Sequence, residues 1–221
     1  MARDPMAHDE FGRMIEVGDA QGVRSALSSD PELANRTILW YLNQPNESDP
    51  LHYVSDCLCH GTLTNDTEGE IAKLLLAHGA SINGTQGRES PLIAAASLGA
   101  DLVARVLVES GAELESTALF GARALHWAAW TGASSTVQLL IERGARFEVK
   151  CSEFGATPLF WAVHGYGPHG PAEKLDQVGA ARALIKAGAK IETSNKHGES
   201  ALTAAQRCAK PDMYELLREP M

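Results

Sequence analysis

The sequence holds no run of Lys or Arg, few aromatic residues (6%) and only four cysteines in 221 residues. It also lacks any stretch near the ~18 consecutive apolar residues of a membrane-spanning helix. Each lack excludes something. With 19 Lys and Arg against 28 Asp and Glu, for a formal net charge of −9, a row of phosphates has nothing to neutralise it. Nucleic acid is therefore not an expected partner, and neither is an anionic membrane surface. The opening Met-Ala-Arg-Asp-Pro-Met leads into charged residues rather than an apolar signal segment, which predicts a soluble, cytoplasmic protein. Cys57, Cys59, Cys151 and Cys208 show no disulfide-framework spacing and are expected to be reduced thiols. The Asn-x-Ser/Thr triplets at Asn35, Asn46, Asn65 and Asn83 are read as chance in a protein that is not exported.

Motifs of catalysis and cofactor binding are missing too. There is no nucleophile elbow, no His-Glu-x-x-His and no dinucleotide fingerprint. Gly165-Tyr-Gly-Pro-His-Gly170 has suggestive glycine spacing, but it lacks the lysine and the strand-to-helix setting of a phosphate loop. Cys57-Leu-Cys59-His60, with His52 and Asp56 close by, offers Cys-x-Cys in place of the usual zinc spacing and has no second pair. No metal and no cofactor are expected.

What is present is a repeat. A hydrophobic fraction of 44% and a charged fraction of 21% suit a folded chain with a sizeable core. Gly121-Ala-Arg-Ala-Leu-His-Trp-Ala-Ala-Trp-Thr-Gly132 is followed by Val137-Gln-Leu-Leu-Ile-Glu-Arg-Gly-Ala145. The pair recurs as Gly155-Ala-Thr-Pro-Leu-Phe-Trp-Ala-Val-His-Gly165 and Ala180-Ala-Arg-Ala-Leu-Ile-Lys-Ala-Gly-Ala189. Equivalent leucines stand at Leu51, Leu92, Leu125, Leu159 and Leu202, and the middle spacings of 33 and 34 residues match the ankyrin period. On these residues the chain resembles the ankyrin-repeat proteins.

The resemblance implies an all-α solenoid, each unit an inner helix, a turn, an outer helix and a hairpin-like loop. The residues agree with that plan. Ser90-Pro91 and Thr157-Pro158 are helix starts: a hydroxyl caps, and proline occupies a first-turn position whose N–H has no partner anyway. Ala94-Ala-Ala96 and Ala128-Ala129 are small, helix-forming residues that allow inner helices to approach. Leu74–Leu76, Val106–Val108, Leu139–Ile141 and Leu184-Ile185 supply the outer-helix core, and Gly79, Gly111, Gly144 and Gly188 end those helices. One domain over 1–221 is expected, in units 11–36 (N-terminal cap), 49–83, 87–115, 120–149, 154–193 and 197–219 (C-terminal cap). Segments 36–48 and 116–119 fit least well.

Two units depart from the plain scaffold. From motif leucine to terminal glycine the middle units span 19 residues, whereas the units on either side span 28 and 29. These carry insertions of about 9 and 10 residues between inner and outer helix, near Cys57–Glu68 and Gly165–Gln177, expected to rise on one edge. Surface loops tolerate insertion cheaply. The second is nonetheless rich in functional types: Tyr166, His169, Glu173 and Asp176 follow directly on His164.

In ankyrin proteins the residue after the paired small residues of the inner helix points outward, which here implies Asp56, Ser97, Trp130, His164 and Arg207. With Tyr166 and His169 they form the expected binding surface. Trp127 and Trp161, one turn earlier, are expected in the core, while Phe120 and Phe154 stand on the hairpin approach of the same repeats. His52 and His126 match the histidine of the Thr-Pro-Leu-His motif, whose implied role is structural. Two functions remain open. One is a module gripping a protein partner, with no catalytic residue; the other is a small-molecule binder or enzyme using His164 or His169 with Asp56, Glu173 or Asp176 as acid and base.

Overall fold

The computed structural model describes residues 9–63, 66–166, 176–207 and 211–218, and it divides into two compact units, residues 1–113 and 114–221. In the first unit α1 (Glu10–Glu16) and α2 (Ala20–Ser29) form the N-terminal pair, followed by a 3-10 turn at Pro31–Ala34. Next come a hairpin of β1 (Ile38–Tyr41) and β2 (Pro45–Ser48), then α3 (Pro50–Cys59) with α4 (Glu68–Ala77), and α5 (Pro91–Leu98) with α6 (Asp101–Glu109). The inner helices α1, α3 and α5 pack in a row, and the outer helices α2, α4 and α6 in a second row behind them. The second unit repeats the plan with α7 (Ala124–Thr131) and α8 (Ser134–Glu142), α9 (Pro158–Gly165) and α10 (Gln177–Lys186), and α11 (Ala201–Arg207) and α12 (Pro211–Arg218). Here too inner packs on inner and outer on outer.

The expected boundary chemistry is in place. Ser90 Oγ accepts from the Ile93 amide (3.3 Å) and Thr157 Oγ1 from the Phe160 amide (3.4 Å), each ahead of its proline. The outer helices α4 and α6 end just ahead of Gly79 (φ 87°) and Gly111 (φ 90°), a left-handed backbone that glycine adopts without a Cβ clash. Inner helices α5 and α7 end the same way at Gly99 (φ 72°) and Gly132 (φ 81°). The core is the strip between the two helix rows of each unit. Val103, Leu107, Val137, Leu140 and Leu184 are completely buried, each contributing about 1.5–3 kcal/mol relative to exposure. The last helix buries Met213, Leu216 and Leu217 and leaves Asp212, Glu215 and Arg218 to water, the wet outer face a terminal repeat needs.

The poorly matching segment 36–48 is the first unit's own addition. β1 and β2 pair antiparallel, Ile38 opposite Ser48 and Tyr41 opposite Pro45, the one sheet among the described residues. Trp40, buried in this hairpin, packs against Tyr53 of α3 at 5.8 Å between ring centroids and against His60 at 5.5 Å. Both insertions lie between inner and outer helix, as expected. The first leaves α3 through a turn in which the amides of Thr62 and Leu63 donate to the Cys57 carbonyl (3.0 and 3.2 Å). The second returns at Asp176, whose amide donates to the Gly132 carbonyl (2.9 Å).

Candidate functional site

In the second unit, the side chains that follow the motif leucines converge. Two residues after Leu125 and Leu159 come Trp127 and Trp161; five residues after Leu125, Leu159 and Leu202 come Trp130, His164 and Arg207. Because inner helices lie side by side, these positions form two adjacent columns along one groove wall. The opposite wall is made by the hairpin tips, where Phe120, Phe154 and His197 each stand just before a glycine. Between the walls is a cavity of about 510 Å³ lined by all of these and by Ala156, Phe160, Asn195 and Glu199.

The rings of the lining touch one another. Trp127 meets Trp161 at 5.0 Å and Trp130 at 5.9 Å, both nearly perpendicular, and Phe120 meets Phe154 at 5.1 Å. Edge-to-face contacts of this kind suit the ring quadrupole and stiffen the wall. Phe120 takes φ 65°, the only non-glycine residue at positive φ among those described. A bulky side chain in that region is costly, and such strain gathers at functional sites. Trp127 Nε1 is buried with no hydrogen-bond acceptor among the described residues.

Behind the rings, His126 fastens the wall. Fully buried, it accepts from the Arg123 amide at Nδ1 (3.3 Å), and its Nε2 lies 3.1 Å from the Val149 carbonyl. Burial, the largest cause, pushes its pKa down to about 4, so the ring is neutral and donates from Nε2. Gly165 lets α9 approach α7: a methyl group there would stand 2.0 Å from the Trp130 carbonyl oxygen. The return of the second insertion is tied to the same helix end, with Gln177 Nε2 donating to the Thr131 carbonyl (3.0 Å).

The structure thus brings together three expected site residues, Trp130, His164 and Arg207. Trp130 is half-buried rather than exposed, because it packs on Trp127. Trp161 is buried as expected, but Trp127 is half-buried and both line the cavity, so core and groove are not exclusive for a residue this large. Tyr166 sits at the end of α9, outside the lining, and Asp176 caps α10 by accepting from the Gly179 amide (2.8 Å). His169 and Glu173 lie outside the described residues. Asp56 does not point outward. The β1–β2 hairpin covers it: Trp40 Nε1 donates to Ser48 Oγ (3.0 Å), Ser48 Oγ donates to Asp56 Oδ2 (2.7 Å), and His52 Nε2 lies 3.6 Å from Oδ1. Burial there pushes the Asp56 pKa up. Ser97 is half-buried and donates to the Ala94 carbonyl (3.1 Å) in the same unit.

Asn195, His197 and Glu199 were not anticipated. The signal was available, since His197 precedes Gly198 as Phe120 precedes Gly121 and Phe154 precedes Gly155. Among the described residues, no group of three His, Cys, Asp or Glu side chains is arranged to hold a metal ion, and Cys57 is buried while Cys59 is exposed. No described helix is long and apolar enough to cross a membrane.

Residues 125–220 match the family model for ankyrin repeats, in three copies. The second unit is built of ankyrin repeats. Its helix pairs are therefore ankyrin units, and the cavity lies in the ankyrin groove between inner helices and hairpin tips. Ankyrin repeats generally serve as protein-interaction modules.

Proposed function

We propose that this protein is a binding module that grips a protein partner in the groove of residues 114–221, with Trp130, His164 and Arg207 on one wall and the hairpin tips on the other. The observation that carries the reading is the ring-lined cavity, about 510 Å³, open in an ankyrin array. Tryptophan is the residue type most enriched at interface hot spots, because one side chain offers a large rigid contact area. Half-buried Trp127 and Trp130 leave such area in water until something covers it. Tyr166, at the end of α9, would adjoin a segment bound there. Acid–base chemistry is the weaker reading: Asp176 is used as a helix cap, and Asp56 is buried against Ser48 in the other unit.

The test is differential capture from the source cell with the parent chain, Trp130→Ala and His197→Ala. A protein retained by the parent and lost by both variants supports the groove. Equal retention by all three means the partner binds elsewhere.

A further inference from the structure

The cavity is not simply apolar; its walls are rings. Leucine or isoleucine would serve a neutral apolar guest as well, since such a guest gains by buried area alone. Phe120, Trp127, Trp130, Phe154 and Trp161 instead form one connected cluster, each centroid within 5.0–6.3 Å of a neighbour. Aromatic faces carry negative potential, and a cation within about 6 Å of several of them is attracted by each. The strained backbone of Phe120 keeps one ring of this cluster at the hairpin tip.

Among the described residues the lining contains a single carboxylate, Glu199, whose loop is held by Asn195: Oδ1 accepts from the amides of His197 (2.9 Å) and Glu199 (3.0 Å). Glu199 already holds a cation at the mouth. Arg207 Nε lies 2.7 Å from its Oε1, and the Arg207 side chain is 65% exposed. Arg207 Nη2 also lies 3.4 Å from Oε2, and the Glu199 side chain is 24% exposed, so an incoming cation competes with Arg207 for this carboxylate from the exposed side of the pair. Among the described residues Arg207 is also the only Lys or Arg lining the cavity, and Glu199 offsets it.

We infer that this cavity recognises an organic cation of the methylated ammonium class, held on the tryptophan and phenylalanine faces with Glu199 as its counter-ion. The inference rests on the proposed groove and names the chemistry it selects. An unmethylated ammonium is a compact, strongly hydrated charge, whereas methyl groups spread the charge and add apolar surface for the rings to cover. The head group is the same whether it arrives on a free small molecule or on a modified lysine of a protein partner.

The experiment titrates the full chain by calorimetry with choline and with 3,3-dimethyl-1-butanol, its uncharged carbon isostere. In parallel it uses a short glycine-flanked peptide bearing trimethyllysine and the same peptide unmodified. Choline is expected to bind about tenfold more tightly than the isostere. Glu199→Gln should weaken choline several-fold without changing the isostere, and Trp130→Ala should remove binding of both while far-ultraviolet circular dichroism is unchanged. Preference for the trimethyllysine peptide over choline assigns the cation to a protein partner. Preference for choline keeps the cation but counts against the protein-partner reading. Isostere binding equal to or tighter than choline overturns the cation and leaves an apolar anchor pocket. Absence of binding by choline and the methylated peptide alike overturns it as well, whatever the capture experiment finds.

Discussion

Two and five residues after the motif leucine, residues 1–113 carry Tyr53 and Asp56, then Ala94 and Ser97. At the same register residues 114–221 carry Trp127 and Trp130, then Trp161 and His164. The helix pairs are alike, but the groove columns are not. In the first unit the positions are filled from within: Ala94 is fully buried, Tyr53 donates to Glu16, and the Trp40 hairpin closes over Asp56. In the second they are left to form a cavity. Charge divides the same way, with seventeen Asp and Glu against seven Lys and Arg in residues 1–113, and eleven against twelve in residues 114–221. The comparison teaches that stacking is enforced by the leucines and alanines between the helix rows, which leaves the groove columns free to be spent on packing in one unit and on a site in the other.

The largest expected effect tests that division directly. Trp161 is 7% exposed, and Trp161→Ala should cost roughly 3–5 kcal/mol, as truncation of a buried aromatic does. Urea unfolding followed by fluorescence measures it, and a loss below about 1 kcal/mol would mean that the wall is not part of the core.

Acidification should move the two units in opposite directions. His126 falls from an ordinary 6.5 to about 4 in the folded chain, so the unfolded chain takes up that proton first. Its contribution is complete above about pH 6.5 and is lost as pH falls toward 4, on the order of 3 kcal/mol in all. Asp56 and Glu89 in the first unit have pKa values raised chiefly by burial. There the folded form takes up the proton first, and stability is gained as pH falls from the raised folded values to the ordinary carboxylate range. Amide exchange should show α7 and α9 loosening at pH 5 relative to pH 7 while α3 does not. Equal loosening of both would defeat the contrast, and His126→Gln should flatten the response of the second unit alone.

Trp130→Ala should cost only about 1 kcal/mol of stability, since the ring is half-buried against Trp127. Partner binding should nevertheless be lost. A variant that unfolds before binding can be measured would make Trp130 a packing residue like Trp161. The smallest effect belongs to the first unit, where Arg88 pairs with exposed Glu47 (2.7 Å) and reaches buried Asp49 (3.4 Å), which keeps the Thr85 amide (2.7 Å) as a second partner. Arg88→Ala should change the urea midpoint by an amount equivalent to about 0–1 kcal/mol, and a larger shift would mean that the acidic unit depends on that cation.

Much of this was legible beforehand. Proline after a hydroxyl residue, alanine pairs and glycine at fixed register signal helix starts, close packing and helix ends through local sterics, and the structure follows them at Ser90, Ala94 and Gly111. Trp130, His164 and Arg207 were found because a repeat converts sequence register into spatial alignment. The hairpin of residues 38–48 was not found, since Ile38-Leu-Trp-Tyr41 is too short a run to separate strand from helix by periodicity. With it went the fate of Asp56, which depends on a covering segment eight residues upstream at Ser48.

The sequence by itself determined the unit, its period and the columns that face the groove, because backbone sterics and apolar spacing act within about thirty residues. Only the tertiary structure decided which column residues stay open. Trp127 and Asp56 both stand in the groove columns, two and five residues beyond a motif leucine. The first lines a cavity and the second is sealed, because burial depends on what another segment lays over the position. For Asp56 that segment is the hairpin; for Trp127 it is the tip at Phe120, whose ring meets it at 6.1 Å between centroids and leaves the cavity beside it open.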